Sequence, residues 1–321
     1  MARKKALIIG INYFGTEHEL QGCINDAANV QEFLVNDRGF SPSEHDMVIM
    51  TDNPGNEGTA FYPTGANILA AIDWLVTRNR PGDLLWLSYS GHGSQVRNDD
   101  GDRPSGFDDT ICPVDFRENG QITSENLHRA IVSPMNPACR LTILFDCCHS
   151  GSACELPYVY RPDGEGNVNL VDTIKQGINL IRSAEELLEG GFSTFKFDDA
   201  KMLLGGATDF FNGLHHRRDQ EADEDGLAAE NFEEHWETEG KDVWMFSGCA
   251  DNQTSADTSI AGAATGAMSW AFVRTMRENP EQSYINILQN TREELAQNYS
   301  QIPQLSCGGK FDLDQVLVVS C

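Results

Sequence analysis

Leu141-Thr-Ile-Leu-Phe-Asp-Cys-Cys-His-Ser-Gly151 decides how the chain is read. An apolar run of β-type character breaks off abruptly into a polar turn that carries two thiols. Asp83-Leu-Leu-Trp-Leu-Ser-Tyr-Ser-Gly-His-Gly93 repeats the pattern with an imidazole at its tip. A cysteine and a histidine, each held at the end of a buried strand, point to a thiol nucleophile with its general base, and so to a cysteine hydrolase. Strand side chains alternate, so Asp146 and Cys148 share one face and Cys147 the other, provided the extended geometry persists to the turn. Ser90 and His92 are related in the same way. The glycines on either side of His92 leave the backbone free to place the ring where a core histidine would need packing neighbours.

Outward from these two runs the chain alternates strand and helix. Lys5 to Asn12 reads as a buried strand and Ile24 to Leu34 as a helix. Asn67 to Val76 (helix), Asp83 to Ser90 (strand), Ser124 to Ile131 (helix) and Leu141 to Phe145 (strand) continue the pattern. Such alternation predicts a mainly parallel sheet covered on both faces, with ligands beyond the carboxyl ends of its strands, where His92 and Cys148 both lie. From Arg161 to Lys241 the composition shifts. Val171 to Leu188 keeps a helical period, but 219–225 and 230–239 are acidic and poor in core residues, so the segment reads as a mobile linker. Beyond it, Val243 to Gly248 reads as a strand, Ala263 to Arg277 and Ser283 to Gln297 as helices, and Phe311 to Val319 as a final strand of the same sheet. The expected division is a large part at 1–160, a linker at 161–241 and a small part at 242–321.

The chain has 321 residues, with 23 Lys and Arg against 49 Asp and Glu, a formal charge of −26. That charge argues against non-specific nucleic-acid binding and favours basic partners. No apolar run approaches the roughly 20 residues of a membrane helix, and the opening Met-Ala-Arg-Lys-Lys leads into a β-like run, not a signal-peptide core. The reading is cytoplasmic. The nine cysteines (23, 112, 139, 147, 148, 154, 249, 307 and 321) follow no disulfide-framework spacing and read as reduced thiols. Asp99-Asp-Gly-Asp102 is similar to a calcium-binding turn, yet it lacks the twelve-residue pattern and reads as a solvated loop.

Five stretches together carry a specific resemblance: Gly22-Cys-Ile-Asn-Asp-Ala27, Tyr89-Ser-Gly-His-Gly93, Asp108 to Asp115, Asp146-Cys-Cys-His-Ser-Gly151, and Ser247-Gly-Cys-Ala-Asp-Asn-Gln-Thr-Ser-Ala-Asp257. With them the sequence resembles the type I metacaspases of the caspase-like cysteine peptidase clan, over nearly the whole chain outside 161–241. The resemblance implies an α/β protein, a caspase-like α/β/α sandwich with a central, mostly parallel sheet. It starts at about residue 4, so the Pro-rich or zinc-finger prodomain of many type I members is not expected in this sequence. It makes Cys148 the nucleophile and His92 the general base, with the N–H groups of Cys148 and Gly93 as the expected oxyanion donors. His149 is the rival base, read instead as a turn residue.

By the same resemblance Asp26 and Asp146 line the primary specificity pocket, with Cys23 and Ser90 in its wall. Two carboxylates in a closed slot select a guanidinium or ammonium, so the expected partners are protein or peptide substrates cleaved after Arg or Lys. The Gln-Ala-Cys signature of animal caspases is missing, and aspartate-directed cleavage is not implied. Calcium is the implied cofactor, at Asp108, Ser124, Glu125 and Glu155; the family pattern has aspartates at 124 and 125, and a serine hydroxyl is a weaker ligand for a hard cation. Self-processing is expected in the linker, at Lys196, Arg217 or Arg218. A monomer is implied, because an extra pair of strands covers the edge through which caspases pair. The alternative from another class is a non-proteolytic scaffold or protein-quality-control factor on the same fold. A redox module using Cys147 and Cys148 is disfavoured by the strain of a bond between adjacent cysteines.

Overall fold

Apolar runs that hide nearly every side chain from water need cover on both faces, and the computed structural model provides it with one sheet between two helical layers. The structure describes residues 2–97, 107–147, 153–162, 168–170, 205–216, 240–249, 258–260, 263–299 and 301–317. In chain order the main sheet is built from β1 (Lys4–Gly10), β2 (Met47–Thr51), β3 (Leu84–Ser90), β7 (Arg140–Asp146), β8 (Tyr158–Pro162), β9 (Val168–Leu170), β10 (Val243–Cys249) and β13 (Ile302–Cys307). Their spatial order is β2-β1-β3-β7-β10-β13-β8-β9. The first five neighbours are parallel, and β13, β8 and β9 are added antiparallel. A small antiparallel sheet of β4 (Gly93–Arg97), β5 (Phe107–Ile111) and β6 (Ile122–Thr123) starts directly after His92, and a hairpin of β11 (Thr258–Ile260) and β12 (Ala263–Thr265) precedes Gly266.

The helices are α1 (Cys23–Asn36), α2 (Gly65–Val76), the single turn α3 (Phe116–Asn119), α4 (Ser124–Ile131), α5 (Gly205–His216), α6 (Ala267–Glu278) and α7 (Tyr284–Ala296). Alternation along each strand sorts the core into two layers. Leu85, Leu87, Leu141, Ile143 and Phe145 meet α2, α4 and α5, whereas Ala6, Ile8, Trp86, Leu144 and Phe246 meet α1, α6 and α7. Thr64, Thr123 and Ser283 cap α2, α4 and α7 by accepting the N–H of Asn67, Asn126 and Asn286. Buried cations close helix ends from the other side: the Lys5 ammonium donates to the carbonyls of Trp74 and Leu75 at the end of α2. Arg38 donates to the Met276 and Pro280 carbonyls at the end of α6, at 2.9 and 3.1 Å.

Register fixes what reaches the carboxyl edge. Gly10, Ser90 and Asp146 lie level on β1, β3 and β7.

Three expectations are corrected. Among the described residues the final strand is Ile302–Cys307, not one that begins at 311, and 318–319 lie outside them. Alternation in Phe311-Asp-Leu-Asp misled, because Phe311 turns back onto the Trp244 ring at 5.1 Å and the described residues beyond it bond to the start of α7, through the N–H groups of Ile285, Tyr284 and Leu317 and a bridge from Ser283 to Val316. The helix expected from Ala263 begins at Ala267, after β12. The stretch 161–241 also holds more structure than a linker does. β8 runs across the expected boundary at 160, and α5 seats Phe211 and Leu214 in the core against α2. The expected helix at 171–188 and the acidic runs at 219–225 and 230–239 lie outside the described residues.

Phe211, 1 % exposed, packs edge-on against Phe61 at 6.5 Å. Phe211→Ala removes about 3 kcal/mol or more of packing. Amides of 205–216 should then exchange with solvent much faster while those of β1 keep their protection; equal protection in both proteins would mean that α5 is not held by this contact.

Candidate active site

His92 stands in the gap between β3 and β4 at the carboxyl edge, half-buried. Its ring Nε2 lies 2.7 Å from the carbonyl oxygen of His18. A carbonyl only accepts, so Nε2 carries the proton and the basic lone pair of the neutral ring belongs to Nδ1. The main chain of His92 is held as tightly: its N–H donates to the Tyr13 hydroxyl at 3.0 Å, and its carbonyl accepts from the Tyr89 hydroxyl at 2.8 Å and from Cys112 N–H at 3.1 Å. The Tyr13 ring lies against the imidazole, centroids 4.7 Å apart, and the His18 ring meets it edge-on at 6.0 Å. Gly93 follows as the first residue of β4, level with Ile111 of β5.

Beside this ring, on the α1 and α6 face, two carboxylates converge. Asp26, in the first turn of α1, is 1 % exposed, and Asp146, the last residue of β7, 7 %. Asp26 accepts the Ser90 hydroxyl at 2.6 Å and the N–H of Gly266 at 2.8 and 2.9 Å on its two oxygens. Asp146 accepts the Ser269 N–H in the first turn of α6 at 2.7 Å. Both acids thus sit at a helix N-terminus, where backbone N–H groups and the macrodipole favour negative charge. Cys23, buried at the start of α1, lies in the same first turn as Asp26. Gly266 is required here: a Cβ would run into Asp146 Oδ2 and come 2.7 Å from Asp26 Oδ2.

The alternation predicted for β7 holds through residue 147, where the Cys147 thiol enters the α2 layer of the core, opposite in face to Asp146. Cys148 and His149 lie outside the described residues, as do Asp99 to Asp102 and the candidate cut sites Lys196, Arg217 and Arg218. Burial pushes the thiols of Cys154 and Cys307 up to about 12, which keeps them protonated and unreactive at neutral pH.

Of the four residues expected to hold calcium, two meet. Ser124 Oγ donates to Glu155 Oε1 at 2.7 Å, and Glu155 takes the left-handed backbone conformation with φ 49°. Glu125 is turned to Arg129 at 3.7 Å, and Asp108 is buried on β5. Among the described residues no three His, Cys, Asp or Glu side chains gather as a metal-holding group. The donors that do meet, a hydroxyl and a carboxylate, are oxygen ligands of the kind a hard cation takes, and they fall short of the six to eight it requires.

Sequence reasoning missed four groups of this site. Tyr13 lies just past the run read as a strand, His18 acts through its main-chain carbonyl, and Gly266 and Ser269 act through N–H groups that no side chain advertises. The Gly-rich run before Ala267 was the one available signal.

Against known proteins, residues 4–157 match the family model described as the metacaspase, peptidase C14 domain. Metacaspase-1A of Aspergillus fumigatus is 43% identical over 99% of this chain and 71% of its own length. The chain belongs to the metacaspase family. Metacaspase-1B of Neurospora crassa is also 43% identical, over 99% of this chain and 69% of its own, so the relatives are of the type I kind expected from the motifs. A Geobacter sulfurreducens protein of solved structure superposes with a TM-score of 0.55 at 22% identity, covering 98% of each chain, a likeness of fold. This metacaspase is therefore a cysteine peptidase of the caspase-like family, with a caspase-like α/β fold and proteins as its substrates.

The Gly266 position gives a direct check on the acid pair of the metacaspase. Gly266→Ala forces a methyl between the two carboxylates and costs about 1–3 kcal/mol as overpacking. Denaturant midpoints measure it; an unchanged midpoint would show that the carboxylates do not enclose this residue.

Proposed function

We propose that this metacaspase is an endopeptidase that cleaves after Arg or Lys, with Cys148 as nucleophile and His92 as general base. The observation that carries the reading is the convergence of Asp26 and Asp146 on Gly266 beside Ser90. Among the donors that meet these acids are a serine hydroxyl and two main-chain N–H groups, which are themselves neutral. A guanidinium or ammonium entering beside them supplies the opposite charge in a site shielded from water.

The reaction follows from the tautomer. With Nε2 tied to the His18 carbonyl, Nδ1 takes the thiol proton, and the Cys148 thiolate attacks the scissile carbonyl carbon. The oxyanion that forms needs main-chain donors, and those of Gly93 and Cys148 are the proposed ones. The imidazolium then protonates the leaving amine, and water releases the acyl group from sulfur. Self-processing at Lys196, Arg217 or Arg218 is the same reaction on the chain's own basic residues, and calcium stimulation through Asp108, Ser124, Glu125 and Glu155 is part of the proposal. The residues drawn together at Ser124 and Glu155 would take the ion once Glu125 leaves Arg129. When bound, the ion would supply charge and order to the segments around it.

A cytoplasmic monomer that binds neither nucleic acid nor membrane completes the reading. The formal charge of −26 supports the second point, β8 and β9 extend the sheet past β13, and no helix among the described residues is long and apolar enough to cross a membrane.

Fluorogenic tetrapeptides that differ only in the residue before the scissile bond test this. Arg and Lys should be cut and Asp left intact, Cys148→Ala should abolish cleavage, and His92→Ala should lower kcat by about 10³-fold. Asp26→Asn should cost about 10²-fold in kcat/KM on Arg. Equal cleavage after Asp, or full activity of Cys148→Ala, would sink the reading. Titration calorimetry with Ca²⁺ should give heat in the native chain and less in Glu155→Gln; identical isotherms would remove these residues from the ion site.

A further inference from the structure

The segment between β1 and α1 contributes more than a connection. Ile11 N–H donates to the Ser90 carbonyl at 3.0 Å, so the segment leaves the sheet directly alongside the strand that leads to His92. Asp52, buried at the end of β2, then accepts the N–H groups on both sides of Tyr13, from Asn12 at 2.8 Å and from Phe14 at 3.3 Å. Between those two anchors Tyr13 takes φ 54°, a left-handed conformation that a bulky residue adopts only when its surroundings over-determine it.

The strained residue is aimed at the imidazole. Its hydroxyl spends its proton on the Cys112 carbonyl at 2.6 Å and offers its lone pair to the His92 N–H at 3.0 Å, while its ring covers the imidazole at 4.7 Å. Burial pushes the Tyr13 and Tyr89 phenols well above their ordinary range, so both remain hydroxyls at any working pH. Five residues further on, the same segment presents the His18 carbonyl to Nε2.

We propose that Tyr13 is a positioning residue for the general base: hydroxyl and ring together fix the main chain and the plane of His92 so that Nδ1 points along one direction. The proposal rests on the reading of His92 as the base. The strain at Tyr13 is thereby spent on orientation, because a relaxed Tyr13 would leave the His92 N–H without its acceptor and one face of the ring without cover.

Tyr13→Phe keeps the ring and deletes the hydroxyl. On the best basic tetrapeptide, kcat should fall about tenfold with KM nearly unchanged, because a small misplacement of a catalytic group acts on the reacting geometry. The acid limb of the pH–rate profile should move by about half a unit, since the imidazole environment changes. Tyr160→Phe on the far strand β8 deletes a hydroxyl away from the site and should change neither. In ¹⁵N-histidine-labelled protein, with the His92 signals assigned by their loss in His92→Asn, Tyr13→Phe should alter the tautomer balance or titration of that ring alone. Gly91→Ala brings a Cβ 2.7 Å from Tyr89 Oη and 2.9 Å from Tyr13 Oη, so it disturbs both hydroxyls that hold the His92 main chain and should reproduce these changes if Tyr13→Phe does not fold.

Equal kcat, pH profile and ring titration in Tyr13→Phe and the native protein would overturn the proposal. A native protein that cuts no basic peptide at all would instead overturn the peptidase reading, and the labelled spectra would still decide the role of Tyr13.

Discussion

A buried carboxylate must find donors or give up its charge, and in this protein main-chain donors come from the opposite end of the chain. Asp26 and Asp146 belong to the first half, whereas Gly266 and Ser269 are supplied by the entry to α6. The other end of α6 is closed by Arg38, which follows α1 just as Asp26 begins it. The positive and negative ends of one helix dipole therefore meet opposite charges at the start of α1 and just past its end, each contact worth up to about 1–2 kcal/mol in a partly buried setting. Phe33 and Phe272 fill the space between, edge to face at 6.5 Å.

On the proposed reading, docking and recognition share atoms. The acids that hold α6 in place are the acids proposed to meet a basic side chain, so the entry to α6 is no passive cover over a finished first half. For His92, by contrast, Tyr13, His18, Tyr89 and Cys112 all precede β7. The proposed base and the proposed specificity slot thus draw on different supports and come level at Ser90, whose neighbours along the edge are Gly10 and Asp146.

The strands that build the edge were legible because they are long, apolar runs that end abruptly, and the pairing of Asp26 with Asp146 and Ser90 was legible through motif resemblance. Strand ends were read to within a residue or two at β3, β7 and β10. The small sheet β4–β6 was not, since its strands are short and polar. β13 escaped because Pro303 breaks a run that would otherwise read as a strand; it is tolerated where β13 has β10 on one side and has not yet reached β8 on the other. Main-chain donors and acceptors such as Gly266 N–H and His18 C=O leave no trace in residue type, and Tyr13 was hidden by a backbone conformation that only coordinates reveal.

Chain order and spatial order disagree at one place with temporal meaning. After β7 the chain travels through the cysteine turn to β8, yet β8 lies on the far side of two strands, β10 and β13, that come much later in synthesis. Tyr158 to Tyr160 find their ladder partners only in Leu305 to Cys307. β8 therefore cannot enter the sheet until both β10 and β13 have joined it, so the edge strand that follows β7 in the chain is among the last to find its place in space.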